Sequence, residues 1–256
     1  MDVFLPRQPD GITLAPQTTQ QLEQSEPLRA QSFLELTNEV AELRQRQVRL
    51  VSLRRQQVMR IGQQTLLHVL TDNRIQVGTI GYAGGFTGSL GRGYEDAVQD
   101  TLRALELAAD LSAKSLVVVP GSQRNHIYNH ASRTIRDGLE RCLDDALRFR
   151  IDLQIALNNV IGDRDDVFAP CGQRPLEWVE DLDSHRIKGL MVLRGVSPWD
   201  NLPDCWRRCL FSGGILRLSR SCRQLVGTAQ VMNHIIQGLQ DAPESLANSG
   251  VLSLAR

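Results

Sequence analysis

A short apolar run between two amphipathic segments constrains the fold of this chain more than any other feature. Residues 115–119 read SLVVV and include no charged side chain. Apolar residues recur at helical spacing over 94–111 and again over 133–149, so the sequence predicts a helix on each side of the run. Because a run that is apolar throughout is typical of a parallel strand buried on both faces, the pattern predicts a β–α unit of an α/β protein.

The same alternation extends along most of the 256 residues. Strands are also predicted at 11–15, 48–53, 75–80, 151–157, 189–193 and 214–218, with 250–254 as a possible eighth. Helices are also predicted at 33–45, 65–70, 176–182, 202–210 and 225–239, and loops at 17–29 and 81–89. This many β–α units favour a (β/α) TIM barrel, for which about 250 residues are typical, over an open sheet. We expect one domain over 1–256, with a core at 11–240, a tail or last strand at 241–256, and a barrel that could be incomplete at this end.

Composition limits the partners that we expect. The chain has 29 basic and 29 acidic residues, so no strong field attracts nucleic acid or an anionic membrane. Six arginines between 44 and 60 are interpreted as a solvated face. Five irregularly spaced cysteines and an N-terminus without a signal-peptide pattern favour a reduced, cytoplasmic protein.

Several segments in the middle of the chain share the order and spacing of one known family. They are IGYAGGFTGS at 80–89, SLVVVPGS at 115–122, the pairs Asn125-His126 and Asn129-His130, and LQIAL at 153–157. They resemble the sugar phosphate isomerase/epimerase family, the xylose-isomerase-like TIM barrels. The resemblance is specific over 75–157 and only compatible on either side. It implies a site at the C-terminal ends of the strands and a small sugar or sugar phosphate as ligand.

The resemblance also implies a divalent metal, which the family typically binds through side chains after strands five, six, seven and eight. This sequence places Asn158 and Leu193 at the first two positions, Arg217 and Arg220 at the third, and Ala255 or Arg256 at the last. Leucine offers no donor atom and arginine repels a cation, so we expect a degenerate metal site and assign no metal ligand. Manganese, magnesium, cobalt or zinc remains possible if Asp163, Asp165 or Asp166 replace the family ligands; the alternative is a solvated acidic turn.

Two loops supply the candidate site residues. The glycine-rich loop, through Gly84, Gly85, Phe86 and Thr87, could present backbone N–H groups to a phosphate or hydroxyl. The alternative is a turn that needs positive φ angles or close packing. His126 and Asn158 are the catalytic candidates, and Gln123, Asn125 and His130 are further ligand-binding candidates; the alternative is an ordinary surface loop.

Two functions of different classes therefore stay open. The first is an isomerase or epimerase with altered or absent metal use, as the resemblance implies. The second is a catalytically inactive barrel that binds a carbohydrate or a protein partner, which the missing carboxylates favour. Exposed apolar surface near a shortened last strand could also support a homodimer.

Overall fold

The computed structural model describes eight strands and five helices. The described residues are 25–88, 91–121, 126–156, 178–179, 181–182, 184–193, 215–218 and 251–254. The strands are β1 (Ser25–Pro27), β2 (Leu50–Arg54), β3 (Gln76–Gly84), β4 (Ser115–Val119), β5 (Asp152–Ala156), β6 (Ile187–Leu193), β7 (Ile215–Leu218) and β8 (Val251–Leu254). The helices are α1 (Phe33–Gln45), α2 (Arg55–Ile61), α3 (Gln63–Asp72), α4 (Tyr94–Asp110) and α5 (Tyr128–Phe149).

The eight strands form one parallel sheet whose spatial order is the order of the chain. Each strand pairs with its successor, from β1 with β2 to β7 with β8. Residues of β1 and β8 then approach to within 8 Å between Cα atoms, which brings the two ends of the sheet together. The predicted (β/α) barrel is confirmed, and 251–254 is its eighth strand. The predicted elements at 11–15, 202–210 and 225–239 lie outside the described residues.

Alternate residues of β4 contribute to two separate apolar layers. Leu116 and Val118 face outward and pack in the large cluster between sheet and helices. Val117 and Val119 face inward and form a smaller cluster with Ala156 and Leu190, against which Tyr82 also packs. Every residue of β4 is buried, as expected for a strand covered on both faces.

Below the inner apolar cluster the barrel interior is polar. The hydroxyl oxygens of Thr79 and Ser115 lie 3.0 Å apart, and the Gln154 amide donates to Ser115 Oγ over 2.6 Å. Hydrogen bonding among these side chains lowers the cost of burying polar groups in the barrel. The contact of Tyr82 with the upper cluster places this residue toward the other, carboxyl end of the strands.

Several predicted bounds differ from the structure. Helix α5 begins at Tyr128 and not at 133, so His130 lies on this helix and not in the predicted loop. The predicted loop at 17–29 contains β1, whose sequence SEP has no apolar alternation to reveal a strand. Helix α2 was missed because its seven residues are too few for a periodic pattern. The glycine-rich segment at 81–89 begins as strand, because β3 continues to Gly84. By contrast α1 matches the prediction, and Ser32 caps it by accepting a hydrogen bond from Glu35 N.

None of the described helices is both long enough and apolar enough to cross a membrane.

Gly84 ends β3 in a conformation that favours glycine. Its φ is +101°, and a Cβ atom built there would lie 2.3 Å from the carbonyl oxygen of Val119. We expect Gly84→Ala to lower the free energy of unfolding by about 2–4 kcal/mol, because the backbone strain and the clash add together. Urea unfolding measures this change.

Gly91 provides the matched control. Its φ is +77°, but nothing lies within 4 Å of the position of an added Cβ. Gly91→Ala should therefore cost only the strain, about 1 kcal/mol. Equal losses in the two variants would contradict the close approach of β3 and β4.

Candidate functional site

A groove near the carboxyl end of β3 brings together four of the predicted site residues. We call it the histidine groove; it has a volume of about 380 Å³ and is lined by Phe86, Thr87, Gly88, Tyr94, His126, His130, Thr134 and Asp137. Phe86 to Gly88 follow β3, Tyr94 begins α4, and the last three residues belong to α5. The groove therefore lies at the rim of the barrel between α4 and α5.

Two imidazoles lie side by side in the histidine groove. The ring centroids of His126 and His130 are 5.1 Å apart. His126 Nε2 lies 3.2 Å from the carbonyl oxygen of Thr87, which connects the β3–α4 loop to the start of α5. His130 is exposed in the first turn of α5. An imidazole can donate or accept a hydrogen bond, so both rings add polar groups to the groove.

Thr87 carries a buried hydroxyl that the described residues leave without a hydrogen-bond partner. The residue is only 6% exposed, although it lines the groove. Leaving a buried hydroxyl unpaired costs about 1–3 kcal/mol, so Thr87 is a candidate for a hydrogen bond with a further polar group.

The glycine-rich loop uses most of its backbone amides within the protein. Gly84 N donates to Thr101 Oγ1 over 3.1 Å. Gly85 N donates to the Val119 carbonyl at 2.8 Å, and Phe86 N to the Pro120 carbonyl at 2.9 Å. These three amides therefore do not present themselves to a ligand, which corrects the expected phosphate cradle. The positive φ angles of Gly84 and Gly85 agree with the alternative, a turn that needs glycine.

The Phe86 side chain is also committed to packing. It is 1% exposed, and a Cβ added at Gly138 on α5 would lie 2.6 Å from its ring. Phe86 thus fastens the loop to α5. Thr87 is the loop candidate whose side-chain polar atom has no protein partner among the described residues.

Several other predicted residues lie outside the described part of the chain: Gln123, Asn125, Asn158, Asp163, Asp165 and Asp166. Their roles as ligand, catalytic or metal-binding residues stay predictions.

Of the positions that the resemblance assigns to the family's metal, Leu193 and Arg217 lie in described strands, whereas Asn158, Arg220, Ala255 and Arg256 lie outside the described residues. Strand β6 ends at Leu193, β7 contains Arg217, and β8 ends at Leu254. Within the described ranges there is no group of three or more His, Cys, Asp or Glu side chains that could hold a metal ion. Leucine and arginine are not ligands for a divalent cation, so Leu193 and Arg217 supply no donor, and the degenerate metal site stays a prediction.

A second pocket was not predicted from the sequence. We call it the arginine pocket; it has a volume of about 610 Å³ and is lined by Arg54, Arg55, Gln56, Met59, Gly81, Tyr82, Arg92, Asp100 and Arg103. It lies between α2 and α4, over the carboxyl ends of β2 and β3. Tyr82 also packs against the inner cluster, so this pocket adjoins the barrel interior.

Asp100 organises the arginine pocket. Both terminal nitrogens of Arg55 donate to its carboxylate, at 2.7 and 2.8 Å, and Arg92 forms a further ion pair with it. Burial alone would raise the pKa of Asp100, but the hydrogen bonds and charges of Arg55 and Arg92 outweigh burial and lower it. Arg55 also donates to the carbonyl oxygen of Tyr82 at 3.2 Å. The prediction of a solvated face was therefore wrong for Arg55.

Comparison with known proteins finds similarity only at the level of structure. No family model matches the chain, and no curated protein matches it in sequence. The 3-keto-D-glucoside 4-epimerase YcjR from E. coli matches with a TM-score of 0.71 and 12% identity, over 91% of this chain and 91% of that one. The D-allulose 3-epimerase from Methylomonas sp., in complex with D-allulose, matches with a TM-score of 0.68 and 12% identity, over 91% of this chain and 83% of that one. The IOLI protein with a bound zinc atom matches with a TM-score of 0.62 and 14% identity, over 91% and 85%.

These matches establish the class of fold. The chain has the TIM-barrel fold of these proteins, which is the fold that the resemblance drawn from 75–157 implies. Identities this low show the fold alone.

The charge cluster around Asp100 makes a prediction about stability. Asp100 is 9% exposed, so Asp100→Asn leaves the charge of Arg55 poorly compensated. We expect a loss of about 2 kcal/mol at neutral pH, less than for a fully buried pair because Arg92 is partly solvated. Because the folded pKa is lowered, this contribution is complete above the unfolded pKa of about 3.9 and disappears as the pH falls through the lower folded value.

Urea unfolding of the wild type and of Asp100→Asn, from neutral to acidic pH, tests this stability prediction. Asp110→Asn on the same helix is the control, since Asp110 accepts a hydrogen bond from the neutral Gln63 amide and should change stability by less than about 0.5 kcal/mol. A difference between wild type and Asp100→Asn that grew as the pH fell would contradict the assignment.

Proposed function

We propose that this protein binds a small sugar or sugar phosphate at the carboxyl-terminal face of its barrel, as an isomerase/epimerase-like protein with an altered metal site. Thr87, His126 and His130 contact the ligand in the histidine groove. Gln123 and Asn125, which precede His126 in the chain, extend the same site, and Asn158 contributes from the segment after β5.

The Thr87 hydroxyl carries the proposal, because it has no hydrogen-bond partner among the described residues and lines the same groove as two imidazoles. A sugar hydroxyl both donates and accepts hydrogen bonds, so one such group can pair with Thr87 Oγ1 and with an imidazole nitrogen. The groove has the volume of a small-ligand site, for which about 300–1,000 Å³ is typical.

His126 is suited to moving a proton within this site. When Nε2 carries the proton and donates to the Thr87 carbonyl oxygen, Nδ1 is left as an acceptor. Nδ1 then accepts a hydrogen bond from a ligand hydroxyl and serves as a general base. The contact with Thr87 holds the ring in this orientation.

The position of the groove and its structural relatives support the same function. TIM-barrel enzymes carry their sites at the face formed by the loops that follow the strands, where the β3–α4 loop and the start of α5 lie. Among the similar structures, the Methylomonas epimerase binds D-allulose. A carbohydrate is therefore the ligand class to test first.

A catalytically inactive, carbohydrate-binding barrel is the second candidate. Leu193 in β6 and Arg217 in β7 favour it, because they supply no ligand for a catalytic cation at two of the positions that the resemblance implies.

Metal analysis separates the two candidates. The protein is purified without chelator, loaded in turn with manganese, magnesium, cobalt and zinc, desalted and measured by elemental analysis. A metal-using isomerase should retain about one ion per chain, held by substitute ligands such as Asp163, Asp165 or Asp166. If the desalted protein retained none of the four metals, the result would favour the inactive barrel.

Isothermal titration with D-allulose, D-fructose and fructose 6-phosphate tests the binding site. We expect Thr87→Val to weaken binding of the best ligand roughly tenfold, about 1.4 kcal/mol, because the ligand loses one hydrogen bond. His126→Ala should weaken it by a similar factor. His68→Ala is the control, since His68 lies on the surface of α3 with its side chain 79% exposed.

Stability measurements show whether a weaker affinity reflects lost contacts. Thr87→Val should not destabilise the protein, because its hydroxyl has no partner among the described residues. Thr101→Val should cost about 1–3 kcal/mol, since the Thr101 hydroxyl accepts from Gly84 and donates to Ala97. Unchanged affinity in both Thr87→Val and His126→Ala would rule out the histidine groove as the site.

A further inference from the structure

The arginine pocket has a charge that its described neighbours do not balance. Four arginines and one aspartate line it. The carboxylate of Asp100 already accepts hydrogen bonds from Arg55 and pairs with Arg92. Within the described ranges, neither Arg54 nor Arg103 has an ion-pair partner, and both are exposed to the pocket and solvent.

Asp100 also gives the pocket a fixed geometry. Its two oxygens hold the Arg55 guanidinium through a bidentate pair, and a third bond joins Arg55 to the Tyr82 carbonyl. The Arg55 side chain is only 20% exposed. Because the Arg55 side chain is already held in place, it loses less conformational entropy when a ligand binds.

The residues around this centre come from separate parts of the fold. Arg54 is the last residue of β2, Arg92 precedes α4, and Arg103 lies one turn after Asp100 on α4. Arginines from three directions suit a compact anion with several acceptor oxygens, because each guanidinium can offer two parallel N–H donors. Partial exclusion of water strengthens these interactions.

We propose that the arginine pocket binds a phosphate dianion, either free or as the monoester of a small molecule. Its volume of about 610 Å³ leaves room for an organic group beside the phosphate. The side chain of Met59 and the backbone at Gly81 line the same space.

This site is separate from the histidine groove. The two share no lining residue among those that the structure describes: Gly88 lines the histidine groove and Arg92 lines the arginine pocket. Phosphate binding therefore does not depend on the proposed carbohydrate site.

Isothermal titration with inorganic phosphate tests the proposal. It is carried out at constant ionic strength and about pH 8, above the second pKa of a phosphate monoester. Wild type should bind one phosphate saturably, and the double variant Arg54→Gln, Arg103→Gln should bind it at least about tenfold more weakly. The substituted side chains are exposed, so the fold should be retained, which circular dichroism and thermal unfolding check.

A second double variant, Arg44→Gln with Arg49→Gln, controls for net charge. It removes two exposed arginines from a different surface, near the amino-terminal ends of β2 and β3. We expect it to leave phosphate affinity within about twofold of wild type, since exposed charges separated by more than a Debye length are largely screened. Equal weakening in the two double variants, or no saturable binding to wild type, would overturn the proposal.

Further titrations identify the source of the phosphate. Tighter binding of fructose 6-phosphate than of inorganic phosphate, lost in Arg54→Gln, Arg103→Gln, supports a phosphorylated ligand. Equal affinity for the two supports free phosphate. Neutral D-fructose should bind this double variant as it binds wild type, so failure of the carbohydrate site and failure of the arginine pocket give different results.

Discussion

Both pockets depend on the close approach of β3 and β4 at their carboxyl ends. Gly84 fits against the Val119 carbonyl where a Cβ atom would clash, and its amide bonds to Thr101 on α4. This hydrogen bond fixes α4 against the end of β3. One residue earlier on the helix, Asp100 points around the helix surface to Arg55 instead. The hydrogen bond between Gly84 and Thr101 thus fixes the start of the glycine-rich loop and, through the neighbouring Asp100, the position of Arg55 in the arginine pocket.

The sequence predicts the elements whose burial leaves a periodic pattern. Helix α1 has the predicted bounds because Leu36, Val40 and Leu43 recur on one face and Ser32 caps its start. Strand β4 has them because burial on both faces requires an apolar run. Helix α2 leaves no such pattern: it is anchored by the Gln57 amide, which donates to the carbonyls of Leu28 and Ala30. Hydrogen bonds between residues distant in sequence have no local signature.

The sequence predicted only the part of the candidate site that comes from the loops directly after β3 and β4. The resemblance over 75–157 places the glycine-rich loop and the two histidines at neighbouring strand ends, and Thr87, His126 and His130 do meet in one groove. It does not reveal that the amides of Gly85 and Phe86 donate to the carbonyls of Val119 and Pro120, or that the groove lies at the rim. The arginine pocket combines Arg54 and Arg55 with residues of α4 about 45 positions later, and a count of charges gives no sign of that pairing. One signal was available: Asp100 stands beside the apolar stripe of α4, where an unpaired carboxylate would be costly.

The two pockets and the metal positions that the resemblance implies lie in different halves of the barrel. Both pockets are built from β2, β3 and the helices α2, α4 and α5, in the first half of the barrel. The metal ligands that the resemblance implies would come from the ends of β5 to β8, where the described positions among them are Leu193 and Arg217. Because each β–α unit contributes its own loop to the site, donors can be lost in one half while the binding groups of the other half persist. Ligand binding in the first half of such a barrel and metal-dependent chemistry in the second half are therefore separate properties, and each must be measured independently.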